Sequence, residues 1–315
     1  MKYGFGIDVG GTTVKLGFLD ETGALLAHWE IPTDCSEGGS HILGDIARAV
    51  EDYLRAAGVD RKDVIGIGVG VPGAVDNQGI VHRCVNLGWG IVDLQRDLSR
   101  LTGLPVRAGN DANVAALGEA WLGGGRGRKN MVLATLGTGI GGGIIIDGKI
   151  LHGAHGGGGE IGHIPLHPKE ETECCGCGKR GCAEQYGSAT GIVRTARRYL
   201  AAHGEPSALR QAEPLTAKAV FDAAKAGDAA ALAICELVFD DLGLFLADVC
   251  CVCDPEIVVL GGGVSKAGQI LLDGVQRAFQ KYIFHTGRDI PFALAALGND
   301  AGTYGAFKLI LDAAN

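Results

Sequence analysis

A mixed α/β fold of two related domains is predicted by three features of this sequence. Apolar, strand-like runs alternate along the chain with segments of helical apolar spacing. Two segments, 5–20 and 131–148, read as copies of one unit: an apolar strand, a Gly/Thr turn, a second apolar strand, then a turn containing Asp or Gly. The length, 315 residues, is long for one hydrophobic core and comfortable for two.

Taken in order, the first copy runs from Phe5 to Asp20 around the turn Gly10-Gly11-Thr12 and is followed by the short apolar run Ala24 to Ala27. Ile42 to Ala57 has helical spacing, and Asp63 to Val71, with Val64, Ile65, Ile67, Val69 and Val71, is a buried strand. A helix over Ala112 to Leu122 opens at Asn110-Asp111. The second copy, Met131 to Gly148, turns at Gly137-Thr138-Gly139-Ile140-Gly141 and leads into Lys149-Ile150-Leu151. Ala229 to Cys253 is a long apolar helix. Glu256 to Leu260 is a strand running into Gly261-Gly262-Gly263, with a helix from Ser265. The last helix, Gly302 to Ala314, is short and amphipathic and is expected to pack back on the first domain. These elements divide the chain into a small N-terminal α/β domain, 1–115 plus 300–315, and a larger α/β domain, 116–299.

Composition narrows the function classes. Hydrophobic residues make up 47% and charged residues 20%, an ordinary soluble globular balance. A net charge of −8 argues against a nucleic-acid partner, which requires a concentrated basic face. The most apolar stretch, Leu242 to Cys253, is interrupted by Asp248 and is too short to span a bilayer, so no membrane partner is expected. The N-terminus enters a strand at once, with no signal peptide and no room for a DNA-binding module ahead of it, and a cytoplasmic location is expected.

Glycine-rich turns after strands bring backbone N–H groups close to phosphate oxygens. In Asp8-Val9-Gly10-Gly11-Thr12-Thr13 the two threonines can add hydroxyl donors, and Asp8, ending a strand, is placed to hold Mg²⁺ through water. Lys15, in the following strand, is grouped with these nucleotide residues. Gly137-Thr138-Gly139 offers a second such nest, and Gly261-Gly262-Gly263 a third, suited to adenine and ribose. One glycine turn alone is more often a plain hairpin; three, each after an apolar strand, point to a nucleotide.

Of the 10 cysteines, Cys174, Cys175, Cys177 and Cys182 fall within nine residues. Disulfides are out of place in a chain of this kind. Cys175, Cys177 and Cys182 with one histidine make the four N/S ligands of a closed tetrahedral zinc site, and the intervening glycines permit the tight loop. His163 and His167 both stand near, and Cys174 is a spare sulfur. Cys250, Cys251 and Cys253 lie at the end of an apolar helix, where cysteine acts as a small hydrophobe. Glu160 and Glu184 flank the metal loop, and paired carboxylates accept hydrogen bonds from a polyol. A hydroxyl attacking phosphorus needs its proton removed, and Asp111 is the candidate base; capping of the following helix explains Asn110 and Asp111 equally well at this stage.

These motifs, Asp8-x-Gly10-Gly11-Thr12, Asn110-Asp111-Ala112-Asn113, Leu136-Gly137-Thr138-Gly139-Ile140-Gly141, Glu160-x-Gly162-His163 and Cys175-x-Cys177-Gly178-x-x-Gly181-Cys182-x-Glu184, resemble the ROK family of repressors, open reading frames and sugar kinases, in family order. The resemblance implies a two-domain, actin-like, hexokinase-type (ribonuclease H-like) ATPase fold with ATP and Mg²⁺ in an interdomain cleft. It implies a homodimer or homotetramer, with the metal loop and the dimer interface on the larger domain. It implies that Asp111 is the catalytic base, that Asn110, Glu160, His163 and Glu184 contact the sugar, and that His163, Cys175, Cys177 and Cys182 hold a structural zinc. His163 then serves zinc with one ring nitrogen and a sugar hydroxyl with the other. The segments around Gly73 and Asn86 resemble those lining the sugar side. Within the family the chain is most similar to bacterial glucokinases, notably over Glu184 to Gly191. In Gly153-Ala154-His155-Gly156-Gly157 it carries His155 where those kinases usually have Asn. The expected activity is transfer of the γ-phosphoryl group of ATP to the 6-hydroxyl of glucose. N-acetylmannosamine, N-acetylglucosamine, fructose or allose are the alternative substrates, and a sugar-sensing regulator is the alternative class.

Overall fold

The computed structural model describes residues 1–314. Two five-stranded sheets have matching strand orders, β3-β2-β1-β4-β8 and β11-β10-β9-β12-β13. The two similar hairpin segments occupy corresponding places in the two sheets, as their shared pattern predicts.

The first unit contains 1–129, 143–159 and the chain from Leu297 onward. Its sheet is built from β1 (Tyr3–Val9), β2 (Thr13–Asp20), β3 (Leu25–Pro32), β4 (Val64–Val71) and β8 (Val106–Asn110). Strands β1, β2 and β3 are antiparallel neighbours, while β1, β4 and β8 run parallel. Helices α1 (Ile42–Ala57) and α2 (Leu94–Thr102) pack on one another, and α3 (Asp111–Leu122) packs with the last helix of the chain. A small antiparallel sheet of β5 (Ala74–Val75), β6 (Ile80–Arg83) and β7 (Val92–Asp93) follows β4. The core is apolar, with Phe5, Ile7, Leu16, Ile46, Ile67 and Val69 fully buried. Helix α1 matches its expected bounds because both end signals are present: apolar residues recur at Ile42, Ile46, Val50 and Leu54, and Gly58 closes the helix in the left-handed conformation.

The second unit contains 130–142 and 160–296. Its parallel strands are β9 (Met131–Leu136), β12 (Ile257–Gly261) and β13 (Phe292–Leu294). Strand β10 (Ile140–Ile146) begins in this unit after the glycine turn and continues into 143–159 of the first unit, where it pairs with β11 (Lys149–Ile150). Five helices complete the unit: α4 (Glu184–Gly187), α5 (Ala189–Ala202), α6 (Ala217–Lys225), α7 (Ala229–Cys253) and α8 (Gln269–Phe279). Helix α7 packs against α5, α6 and α8, which is why it is apolar nearly all round; Ile234, Val238, Phe245 and Leu246 are fully buried. The helix expected from Ser265 is first a 3₁₀ turn, Gly263–Ala267, and then α8.

Three outlines differ from expectation. Helix α3 lies wholly in the first unit, so that unit's first stretch ends at Lys129 and not at residue 115. Residues 143–159 also belong to it. The final helix, α9 (Ala301–Ala314), packs on the first unit's α3, β1 and β4. It is buried on more than one face, at Ala301, Gly302, Thr303, Gly305, Ala306, Phe307 and Ile310, so it is a core helix where an amphipathic one was expected. Asn315, the last residue of the predicted returning segment, lies outside the described residues.

Candidate functional site

In the first unit the predicted residues gather at one edge of the sheet. Strands β1, β4 and β8 are parallel and in register, with Asp8 opposite Gly70 and Val71 opposite Asn110. Their carboxyl ends therefore deliver Asp8, the Gly73 turn and Asn110-Asp111 to the same side, where open parallel sheets bind ligands. Burial pushes the Asp8 carboxyl above the usual carboxylate range, and Lys15 across the β1–β2 ladder partly opposes it. The Lys15 ammonium donates to the Asn299 carbonyl at 3.1 Å, which ties β2 to the 3₁₀ turn Gly298–Asp300 before α9.

The turn itself is closed by the Gly10 N–H on the Thr13 carbonyl at 2.9 Å and braced by the Thr33 hydroxyl, which donates to the Gly10 carbonyl at 2.7 Å. Asn86 stands beside it: the Cys35 thiol lies 3.5 Å from both the Gly11 and the Asn86 carbonyl oxygens.

Asn110 caps α3, its Oδ1 accepting from the N–H groups of Ala112 (3.0 Å) and Asn113 (3.1 Å). Its Nδ2 donates to the Gly73 carbonyl at 3.1 Å, so the cap also fixes the turn after β4. The two explanations of the Asn-Asp pair thus separate: Asn110 is the cap, and Asp111 is the first helical residue, its Oδ1 accepting the Ala112 N–H at 2.8 Å. Asn113, part of the Asn110–Asn113 motif but given no role from sequence, is buried and donates to the Gly158 carbonyl at 2.9 Å, tethering the glycine-rich 153–159 loop to α3.

The second unit repeats the arrangement. Thr135 at the end of β9 pairs with Gly261 at the end of β12, so the Gly137–Gly139 and Gly261–Gly263 turns share one sheet edge. Gly262 has φ 80°, and a Cβ there would lie 2.5 Å from the Leu136 carbonyl oxygen, so only glycine lets the two turns adjoin. The start of α5 secures the first turn, with Ala189 N–H on the Gly137 carbonyl (2.8 Å) and the Thr190 hydroxyl on the Thr138 carbonyl (2.9 Å). Beside Gly263 opens a cavity of 310 Å³ lined by Ala189, Thr216, Phe221, Lys225 and Val264 among others. Apolar walls with lysines at the rim suit a flat heteroaromatic base. These wall residues carry no sequence signature and were not anticipated.

His163, Cys175, Cys177 and Cys182 bring one ligand atom each within 4.8 Å of one another. His163 Nδ1 is 3.7 Å from Cys175 Sγ, and Cys177 Sγ is 3.7 Å from Cys182 Sγ. Four ligands at zinc-bond lengths stand roughly 3.5–3.8 Å apart in a tetrahedron, so the donor set fits zinc. Burial pushes the Cys175 thiol up to about 12 and raises Cys182, while the Lys179 N–H lowers Cys177. Three sulfurs packed this closely become thiolates together only around a cation. His167 is turned elsewhere: its Nε2 meets Asp241 at 2.7 Å and its ring lies edge-on to Tyr186. Cys174 is outside the group, and so are Cys250, Cys251 and Cys253, of which Cys253 donates its thiol to the Val249 carbonyl at 3.2 Å.

Two acids stand beside this cluster. Glu160 Oε2 is 3.9 Å from His163 Nε2, the ring nitrogen opposite the sulfurs. Glu184 accepts the Ile140 N–H at 3.1 Å and lies 3.5 Å from Cys175 Sγ, linking the glycine turn to the metal loop.

A family model described as the ROK family matches residues 4–313. The chain belongs to the ROK family. A glucokinase of Halalkalibacterium halodurans is 45% identical over 97% of this chain and 94% of its own. Among solved structures, a ROK family glucokinase from Streptomyces griseus in complex with glucose and AMPPNP is 34% identical, covers 98% of both chains and superposes with a TM-score of 0.76. A ROK hexokinase from Thermus thermophilus is 33% identical over 97% of this chain and 96% of its own, with a TM-score of 0.77. The ROK kinase structures are two-domain actin-like ATPase folds, and the paired sheets described above are that fold.

Proposed function

We propose that this ROK protein is an ATP-dependent glucokinase that phosphorylates the 6-hydroxyl of glucose. One observation carries the reading from family to chemistry: Asp111, the first residue of α3 after its Asn110 cap, stands at the carboxyl edge that holds Asp8 and the Gly10-Gly11 turn. Its likeness to glucokinases supports glucose as the substrate.

In this mechanism Asp111 accepts the proton of the attacking hydroxyl as the bond to phosphorus forms. Asn110, Gly73, Asn86, Glu160, His163 and Glu184 are the residues that would contact the sugar in this reading. Backbone N–H groups of Gly10, Gly11, Thr12, Thr13, Gly137, Thr138 and Gly139 cradle the phosphates, with Lys15 nearby and Gly261–Gly263 beside the base. Asp8 is the residue to hold Mg²⁺, which when bound neutralises charge building on the phosphate oxygens. His163, Cys175, Cys177 and Cys182 would hold a structural zinc, whose bond to the His163 ring would orient Nε2 toward the sugar. The same reading includes a homodimer or homotetramer and a cytoplasmic location, where ATP and free hexose meet. No described helix is long and apolar enough to cross a membrane.

ADP release measured over a hexose panel tests the substrate. Glucose is expected to give the highest kcat/KM, at least tenfold above fructose, allose, N-acetylglucosamine and N-acetylmannosamine. A higher value for any of these would overturn glucose and turn attention to exposed His155 on the loop held by Asn113.

A further inference from the structure

The metal loop is a nine-residue excursion, Cys174 to Cys182, with little regular structure; isolated bridges pair Cys174 with Arg180 and Pro165 with Cys182. One buried side chain outside the ligand set touches both of its ends. Gln185, only 7% exposed, receives the N–H groups of Gly181 (2.8 Å) and Cys182 (3.2 Å) on Oε1 and donates from Nε2 to the Glu173 carbonyl at 3.1 Å. The first two anchors lead into and through the Cys182 ligand, and the third lies two residues before Cys175.

The backbone of Gln185 is itself held. Arg194 donates to the Gln185 carbonyl and pairs with Glu171, whose side chain is fully buried. Arg198 grips the same carboxylate bidentately at 3.0 and 3.1 Å, and Glu171 accepts the Glu173 N–H at 3.0 Å. The Arg198 guanidinium holds the Glu171 carboxyl down at about 2, so this brace stays charged at every physiological pH.

We infer that Gln185 is the positioning residue of the metal loop: its amide staples the two ends together and sets the three sulfurs at ligand spacing before the ion arrives. This rests on the zinc reading above. A neutral amide is the side chain that fits, because the site needs an acceptor for two N–H groups and a donor for one carbonyl. Glutamate keeps the acceptor but loses the donor and sets a carboxylate against a carbonyl oxygen. Leucine loses all three bonds and leaves buried backbone groups unpaired.

The test is zinc release from the purified full-length protein to a colorimetric chelator, with folding followed by circular dichroism. Gln185→Leu is expected to release zinc tenfold or more faster than wild type, as loss of an outer-shell partner costs about 10–100-fold in metal affinity. Gln185→Glu is expected to fall between, at roughly threefold or more. Leu242→Ala controls for general loosening, since Leu242 packs under Gly187 at the far end of α4, and it should release zinc as wild type does. Glucose KM should rise in the Gln185 variants while ATP KM stays within about twofold. Wild-type release rates in both Gln185 variants, or equal acceleration in Leu242→Ala, would overturn the inference while leaving the zinc reading intact. If Gln185→Leu does not fold, the Gln185→Glu rate decides. Purified wild type without zinc would overturn the metal reading, and this inference with it.

Discussion

Replacing Asp111 by Asn is expected to lower kcat about 1,000-fold, within the range of about 10²–10⁴ that general acid–base catalysis contributes. The substitution is nearly isosteric, and the new amide can keep an oxygen on the Ala112 N–H. The cap of α3 is undisturbed because Asn110 supplies it. Loss of one negative charge in the first turn of the helix costs only about 0.3–1 kcal/mol. Stability and glucose affinity should therefore change little, with the glucose Kd within about threefold by calorimetry. A large fall in kcat with binding preserved is the signature of a group that acts on the proton in the transition state. An Asp111→Asn enzyme retaining a tenth or more of wild-type turnover would remove Asp111 from that role.

The second large effect is expected at the metal. Purified protein should carry about one zinc per chain by elemental analysis, and Cys182→Ser should lose it. Cys182 is fully buried, and without the ion the Cys175 thiol returns to its neutral form, since burial holds it at about 12. His163 then loses the contact that orients its ring, and Glu184, 3.5 Å from Cys175 Sγ, loses the wall it leans on. Glucose KM should rise tenfold or more, with ATP KM changed about twofold or less, because the nucleotide turns have their own hydrogen bonds to α5. A zinc-free protein with unchanged glucose KM would contradict the assignment.

Much of this was legible in the chain because some side chains announce their chemistry at short range. Cys175-x-Cys177 with Cys182 reads as a metal loop without any structure, since three soft ligands on a glycine-rich segment have few other uses. The histidine that joins them does not read so plainly. His163 and His167 both stand near in sequence, and the residue that claims His167 is Asp241, on the distant helix α7. The Asn110-Asp111 pair was ambiguous for a similar reason: both residues favour helix starts, and only the pattern of N–H partners separates the cap from the residue after it.

The fold shows the same division between local and distant causes. Helices α1 and α7 could be bounded from sequence because apolar spacing and end signals coincide, with Gly58 closing α1 and Asp228 capping α7. Helix α2 was missed: only Leu94, Leu98 and Thr102 face inward, among charged neighbours. Strand β8 is five residues long and interrupted by exposed Arg107. The return of 143–159 to the first unit has no local marker beyond a glycine. Gly143 approaches α3 so closely that a Cβ there would lie 2.4 Å from the Ala116 methyl, which only the folded packing reveals.

The most direct test is a crystal structure of the protein with glucose and a non-hydrolysable ATP analogue, read at one distance. The account predicts an Asp111 carboxylate oxygen about 2.6–3.2 Å from the glucose 6-hydroxyl, with no other side chain able to take that proton. A 6-hydroxyl held by a different base, with Asp111 turned away from the sugar, would contradict it.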